Sequence, residues 1–205
     1  EGGLSRRPAV VFVNGVENSP SSAHLGDDVP TILWMARVVP TKDLHILLNA
    51  AGRLKAEGMR FRILVAGNAP ANLQWYHDEA VALVARHDLQ SEVTFLGWIA
   101  DVAPLVQSAS IGVQTSWTEG LSITLLEQMT AGLAIVATDV GDTRRAIESG
   151  VTGLLVPPGN EQALLDALRT MIRDPAQRMR MGLAARTRAQ TSFSLPAMAR
   201  QVVEN

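Results

Sequence analysis

The sequence predicts an α/β fold built as a single Rossmann-like, doubly wound parallel sheet. Short runs that are apolar along their whole length alternate with segments of helical periodicity. Strands of that kind are buried on both faces, and helices between them imply parallel pairing through crossover connections. The chain has 205 residues, of which 47% are hydrophobic, so it can form a core that covers such a sheet.

The amino-terminal part predicts one strand and a linker. Apolar residues at 9–14 predict the strand, which the turn pair Asn14-Gly15 closes. Residues 17–30 are rich in Ser, Pro, Gly and Asp, a composition typical of a loop or linker. The chain begins with Glu rather than Met and shows no signal-peptide pattern, so we interpret it as a fragment of a longer chain.

Strands and helices then alternate from residue 31. The predicted strands are short, β-rich and bounded by turn residues, at 31–36, 61–67, 93–97, 110–114, 134–139 and from 153 to the turn at 157–159. The predicted helices repeat apolar side chains on one face, at 43–57, 72–88, 101–108, about 122–132, a short segment after 139, and 164–172. Residues 175–205 are predicted to be helical, with a break near 192–196.

Composition excludes several classes of protein. The net charge of −2 and the lack of a basic run argue against a nucleic-acid partner or a basic membrane-binding surface. No apolar run approaches the length of a membrane span. The chain has no cysteine, which excludes disulfides and thiolate metal sites and is compatible with a reducing compartment. We therefore expect a cytoplasmic protein.

The loops that follow strands carry the candidate functional residues, because ligands of doubly wound sheets bind beyond the carboxyl ends of the strands. Arg37 and Lys42 follow the strand at 31–36. Such a pair can clamp a diphosphate, the arginine by a forked contact and the lysine as a point charge. Two solvated surface charges are the alternative interpretation.

A second candidate anion site lies at 120–122, where a turn leads into a helix. The first N–H groups of a helix are free to bind an anion, and Gly120 lets the backbone approach the ligand closely. If neighbouring strand ends converge as the fold predicts, a phosphate there would also lie near Arg37 and Lys42.

Two glutamates stand on either side of this helix start. Glu119 precedes the helix and Glu127 falls in its second turn, so about 12 Å of helical rise is the most that separates them. Carboxylates accept hydrogen bonds from sugar hydroxyls. The site thus has a hydroxyl acceptor, an anion site and a second hydroxyl acceptor in that order. A nucleotide sugar has its hexose, diphosphate and ribose in the same order. The alternatives are a charge that favours the helix start for Glu119 and a solvated helix face for Glu127.

The stretch EGLSITLLE at 119–127 resembles the Glu-Gly-(x)6-Glu motif of the retaining glycosyltransferases of family 4, which have the GT-B fold. ARVVPTKD at 36–43 resembles the Gly-Arg-(x)4-Lys-Gly phosphate loop of that family, and the likeness extends over roughly residues 10–195. The resemblance implies a hexosyltransferase that uses a UDP, GDP or ADP sugar and needs no metal or other cofactor.

The resemblance also implies roles for named residues. Arg37 and Lys42 would hold the donor diphosphate, Glu119 would lie against the transferred sugar, and Glu127 would bind the ribose hydroxyls. Glu119, Arg37 and Lys42 are the candidate catalytic residues. The remaining donor contacts would come from strand-end loops, with backbone amides at the phosphates and one loop along the base: Gly67, Gly97, Trp98, Ile99, Gly120, Leu121, Ser122 and Ile123.

Family members have two Rossmann-like domains, and the resemblance covers the second. It implies a linker remnant at 1–30, a donor-binding domain at 31–190 and a helical tail at 191–205. The acceptor-binding domain would be the missing partner, so we expect the isolated chain to bind donor weakly and to be inactive. One departure is Asp43, which stands where the family has glycine and would add a negative charge beside the phosphate site.

Three other functions remain as alternatives. A glycoside hydrolase could use Glu119 and Glu127 as its carboxylate pair, but that leaves the loop at 36–43 unexplained. A sugar-nucleotide epimerase of similar fold is a second alternative. The third is a non-catalytic nucleotide-binding or interaction module.

Overall fold

The computed structural model describes residues 15–17, 20 and 27–203, so the strand predicted at 9–14 lies outside the described residues. Short 3₁₀ turns at Pro40–Lys42 and Ala71–Leu73 precede two of the helices. The described strands and helices follow the predicted order: β1 (Thr31–Met35), α1 (Leu44–Ala56), β2 (Arg62–Ala66), α2 (Gln74–Arg86), β3 (Val93–Gly97), α3 (Ala103–Gln107), β4 (Ile111–Gln114), α4 (Ile123–Thr130), β5 (Ala134–Thr138), α5 (Thr143–Ala146), β6 (Gly153–Val156), α6 (Glu161–Arg173), α7 (Pro175–Ser192) and α8 (Leu195–Val203).

These strands form one parallel sheet in the order β3-β2-β1-β4-β5-β6. The prediction of a Rossmann-like, doubly wound sheet is confirmed. The chain winds outward from β1 through β2 and β3, then returns to β4 and winds outward on the other side. Because the loops that leave β1 and β4 turn towards opposite faces, a crevice opens between the carboxyl ends of these two strands.

The central strand β1 shows why the strands are apolar along their whole length. Ile32 and Trp34 pack into the layer that contains α1, α2 and α6. Leu33 and Met35 point the other way and pack against α4 and α7. All four side chains are buried, so each face of the strand needs apolar residues.

The start of the described chain meets its carboxyl-terminal part. The Val16 N–H donates to the carbonyl of Phe193 at 2.9 Å, and the N–H of Leu195 donates to the carbonyl of Val16 at 3.2 Å. This bridge lies where α7 ends and α8 begins, as the predicted helix break requires. Residue 190, the predicted boundary of the tail, lies within α7, and the three-part division of the chain stays a prediction.

Helix α7 approaches the sheet very closely at Gly182. A Cβ at this position would overlap the carbonyl oxygen of Gly132, in the turn between α4 and β5. Glycine within a helix lowers stability by about 1 kcal/mol relative to alanine. The close contact with Gly132 explains why the smaller residue stands here. Gly182 therefore sets the distance between α7 and the layer below it.

We expect Gly182→Ala to destabilise the protein by about 1–3 kcal/mol, because the added methyl group forces α7 away from Gly132. Helix propensity alone predicts the opposite sign. Chemical denaturation monitored by circular dichroism measures the change. Thr187→Ala, on the exposed face of the same helix, is the control and should change the free energy of unfolding by less than about 0.5 kcal/mol. A stabilised Gly182→Ala variant would contradict the close approach.

Candidate functional site

Three neighbouring cavities open where β1 and β4 end and α4 begins. The first has a volume of about 370 Å³. It is lined by six of the residues that the sequence predicts for the site, namely Arg37, Lys42, Glu119, Leu121, Ser122 and Ile123. The structure therefore brings the cationic loop after β1 to the turn that precedes α4.

Hydrogen bonds join the loop after β1 to the loop after β4. The Thr115 hydroxyl donates to the carbonyl of Lys42 at 2.7 Å and accepts from the indole Nε1 of Trp34 at 3.0 Å. The N–H of Trp117 donates to the carbonyl of Thr41 at 2.9 Å. These bonds hold Lys42 beside Glu119 although 77 positions separate the two residues in sequence.

Glu119 is paired in the first cavity. Its Oε1 accepts from the Lys42 ammonium and, at 2.7 Å, from the Ser116 hydroxyl. Side-chain exposure is only 13% for Glu119 and 19% for Lys42, so solvent screens this ion pair less than a surface pair. Behind it, Gly141 has a φ of 50°, and a Cβ there would overlap the Glu119 carbonyl oxygen. The carboxylate is thus held in place by its neighbours.

The start of α4 supplies amide groups to the same cavity. Ser122 caps the helix, since its Oγ accepts from the N–H of Leu125 at 3.3 Å. The first intrahelical bond runs from Leu126 to the carbonyl of Ser122, which leaves the N–H groups of Ile123 and Thr124 at the positive end of the helix. A Cβ at Gly120 would have no described atom within 4 Å, so the approach to this helix start is open.

Glu127 lines the second cavity, of about 480 Å³, and not the first. Ile123 borders both cavities, so the two glutamates lie on either side of the start of α4. The carboxylate of Glu127 is half-buried and makes no hydrogen bond or ion pair with any residue that the structure describes. Burial raises its pKa above the ordinary glutamate value. Glu127 is therefore a desolvated acceptor without a partner in the described part of the chain.

The third cavity, of about 450 Å³, contains Gly67, Trp98 and Ile99 and shares Arg37 with the first. Trp98 is 71% exposed and presents a large aromatic surface at the mouth. Gly67 has a φ of 134°, and a Cβ there would overlap the carbonyl oxygen of Ala36, so glycine allows the loops after β1 and β2 to touch. Gly97 does not line the cavity; its φ of 69° turns the chain towards Trp98.

Asp43 corrects one expectation from the sequence. Its carboxylate does not face the first cavity but caps α1, where it accepts from the N–H of Ile46 at 3.4 Å. The backbone is left-handed at this residue, with a φ of 45°, a conformation that glycine adopts freely. The aspartate thus adopts a backbone conformation that suits glycine and uses its charge at a helix start.

Sequence reasoning missed several polar residues that line the first cavity: Gln114, Thr115, Ser116, Thr124 and Gln128. Thr115 and Ser116 stand in a loop that the sequence does single out, but only the structure shows their partners. Gln128 is a polar residue on the buried side of α4, which is the signal that could have drawn attention to it. Across the described residues, no three His, Cys, Asp or Glu side chains gather as a metal site.

Comparison with known proteins places the chain in a family. Residues 29–174 match the family described as glycosyl transferases group 1, and the chain belongs to that family. No helix in the described part of the chain is long and apolar enough to cross a membrane.

Individual relatives agree with this placement. The α-D-kanosaminyltransferase of Streptomyces kanamyceticus is 29% identical over 178 residues, or 86% of this chain and 45% of that protein. The crystal structure of Anabaena HepE in complex with UDP gives a TM-score of 0.86 at 25% identity, covering 95% of this chain and 56% of the other. The C-terminal domain of LpcC, a group 1 family glycosyl transferase of Francisella tularensis, shares the fold over its whole length, with a TM-score of 0.80 at 24% identity and 88% of this chain covered. This chain spans about half the length of the first two proteins.

We expect Glu127→Gln to stabilise the ligand-free protein at neutral pH. Because the pKa of Glu127 is raised on folding, ionisation of this carboxyl costs more free energy in the folded state than in the unfolded state. The free energy of unfolding of the wild type therefore falls as pH rises from the unfolded-state pKa to the folded-state pKa. The gain should shrink as pH falls and vanish below about pH 4, where glutamate is protonated in both states. Thermal unfolding between pH 8 and pH 4 measures the difference.

Glu119→Gln is the matched control, because the same substitution there removes an ion pair. It should lower the free energy of unfolding at pH 7 by up to about 1 kcal/mol. A lower melting temperature of Glu127→Gln at pH 7, in the direction expected for Glu119→Gln, would contradict the absence of charge compensation at Glu127.

Proposed function

We propose that this chain is the donor-binding, carboxyl-terminal domain of a retaining glycosyltransferase of family 4 with the GT-B fold. The whole enzyme would transfer a hexosyl group from a nucleotide-diphosphate sugar to an acceptor. The observation that carries this proposal is the first cavity, where Arg37, Lys42 and the free amides of α4 meet beside Glu119. The likeness to HepE, whose crystal structures contain UDP and UDP-glucose, supports it.

Arg37 and Lys42 would bind the diphosphate together with the start of α4. When the bond between the sugar and the diphosphate breaks, negative charge develops on the leaving group. Two cations and a helix start would stabilise that charge without a metal ion. Lys42 and Glu119 are largely shielded from bulk water, which strengthens their electrostatic interactions.

Glu119 would accept hydrogen bonds from hydroxyl groups of the transferred sugar. Glu119 and Lys42 are ion-paired, so the sugar contact and the phosphate contact would lie next to each other, as the anomeric bond requires. When donor binds, Lys42 can turn towards the diphosphate while Ser116 still holds the carboxylate. The carboxylate of Glu119 is therefore aligned before the donor arrives.

Glu127 would bind the ribose hydroxyls, and the third cavity would take the base. A half-buried carboxylate without a partner gains strongly from two hydroxyl donors, because they replace the solvation that it lost on folding. Trp98 and Ile99 line the neighbouring cavity, where a flat base can stack against the exposed indole.

In the whole protein, residues 1–30 would form the linker from an acceptor-binding domain, residues 31–190 the donor domain and residues 191–205 the helical tail. Transfer needs the acceptor, so we infer that the isolated chain binds donor and does not catalyse transfer. We place the protein in the cytoplasm, which is compatible with the absence of cysteine.

We expect isothermal titration of the wild-type chain with UDP, GDP and ADP to detect binding of at least one diphosphate. Arg37→Ala and Lys42→Ala should each weaken it by about tenfold or more, since each removes a charged hydrogen bond to phosphate. Arg62→Ala is the control and should leave affinity unchanged. This exposed arginine is the first residue of β2, so it lies at the amino-terminal ends of the strands, opposite the cavities. Failure of all three nucleotides to bind at millimolar concentration would count against the donor site.

Glu127→Ala tests the ribose contact directly. Wild type should bind the preferred nucleoside diphosphate more tightly than its 2′-deoxy analogue, because the analogue lacks one hydroxyl donor. In Glu127→Ala the two ligands should bind equally, and Glu119→Ala should retain the preference for the ribose form. A preference that persists in Glu127→Ala would assign the ribose to another residue.

A further inference from the structure

The first cavity contains a buried carboxamide that the proposed donor contacts do not use. Gln128 lines the cavity together with Arg37 and Lys42, and the residue is only 3% exposed. Its side-chain amide makes no hydrogen bond with any other described residue. By contrast Gln114, which also lines this cavity, donates to the Thr143 hydroxyl at 3.3 Å.

The side-chain amide of Gln128 reaches the open space of the cavity. Among the described residues, the Tyr76 hydroxyl is the fully enclosed side-chain polar atom without a hydrogen-bond partner, and neither amide atom of Gln128 is in that state. An apolar side chain of similar size would bring no hydrogen-bonding group to the cavity, and the neighbouring α4 residues Leu126 and Met129 are of that kind. The carboxamide is therefore accessible to a partner that enters the cavity from outside.

Gly112 on β4 makes room for this side chain. A Cβ at Gly112 would overlap Oε1 of Gln128, and the oxygen is the amide atom nearest to the strand. The Nε2 group is thereby turned away from β4. Side chains of an α-helix lean towards its amino terminus, which here is the anion-binding start of α4.

We propose that Gln128 is an additional phosphate-binding residue, whose Nε2 donates a hydrogen bond to the diphosphate of the donor. The inference rests on the proposed function, because that function supplies the diphosphate. Several groups around this site are hydrogen-bond donors or cations: the Nε2–H group of Gln128, Arg37, Lys42 and the amides of Ile123 and Thr124. A phosphate oxygen is the partner that all of them favour.

The test compares ligands with and without the diphosphate. Wild type and Gln128→Glu are titrated with the preferred diphosphate among UDP, GDP and ADP, and with the corresponding nucleoside by ligand-observed NMR. Glutamate has the same shape but presents an oxygen in place of the NH₂ group. Gln128→Glu should weaken diphosphate binding by about tenfold or more and leave nucleoside binding unchanged. Gln128→Leu, which has no charge, should show a smaller loss for the diphosphate alone.

Gln177→Glu is the matched control, because the same change there lies in the first turn of α7, away from the cavities. It should bind both ligands as wild type does. Thermal unfolding of each variant verifies that it is folded. Should Gln128→Glu fail to fold, Gly112→Ala displaces the same amide without changing its chemistry and should also weaken only the diphosphate.

Two results would overturn the inference while the proposed function stands. One is a diphosphate affinity of Gln128→Glu equal to that of wild type. The other is an equal loss for diphosphate and nucleoside, which indicates a general disturbance of the cavity. If wild type binds none of the three diphosphates, the proposed function fails and the inference fails with it. That last result is recognised before any variant is made.

Discussion

The parallel pairing of β1 with β4 is the constraint on which the site depends. These strands are neighbours in the sheet, but their loops turn to opposite faces and leave the crevice between them. The bond from Thr115 to the Lys42 carbonyl and the bond from Trp117 to the Thr41 carbonyl tie the two loops together. Without that register the cations, the carboxylate and the start of α4 would not share one cavity.

The charges of the site differ in how they are compensated. Glu119 and Lys42 neutralise each other in the ligand-free protein. The Ser116 hydroxyl also holds the carboxylate, and Gly141 packs against the backbone carbonyl of Glu119. Glu127 has no such support from the described residues, and burial raises its pKa. Helix α4 thus separates a compensated carboxylate from one that the described residues leave uncompensated. A ligand that donates hydrogen bonds to the second carboxylate recovers free energy that its burial costs the ligand-free protein.

Local sequence patterns predict much of this arrangement, and the rest depends on side-chain directions and on contacts between residues that are distant in sequence. Apolar runs located the strands within about two residues, and the rule for strand-end loops placed Arg37 and Glu119 at one edge. The left-handed backbone at Asp43 and the assignment of Glu127 to a separate cavity depend on side-chain directions that periodicity does not specify. The space that the Gln128 amide occupies depends on the missing side chain of Gly112 on β4.

The bridge between Val16 and Ser194 brings residues near the two ends of the described chain to one place. Both segments border the cavity that contains Glu127, through Gly15, Val16 and Leu195. Because a domain whose ends adjoin can be excised, inserted or circularly permuted without rerouting the chain, this domain has the geometry of an exchangeable module. In the enzyme proposed above, the chain that joins the two domains would pass this junction, so a change in the orientation of the domains would reach the wall of the cavity that contains Glu127.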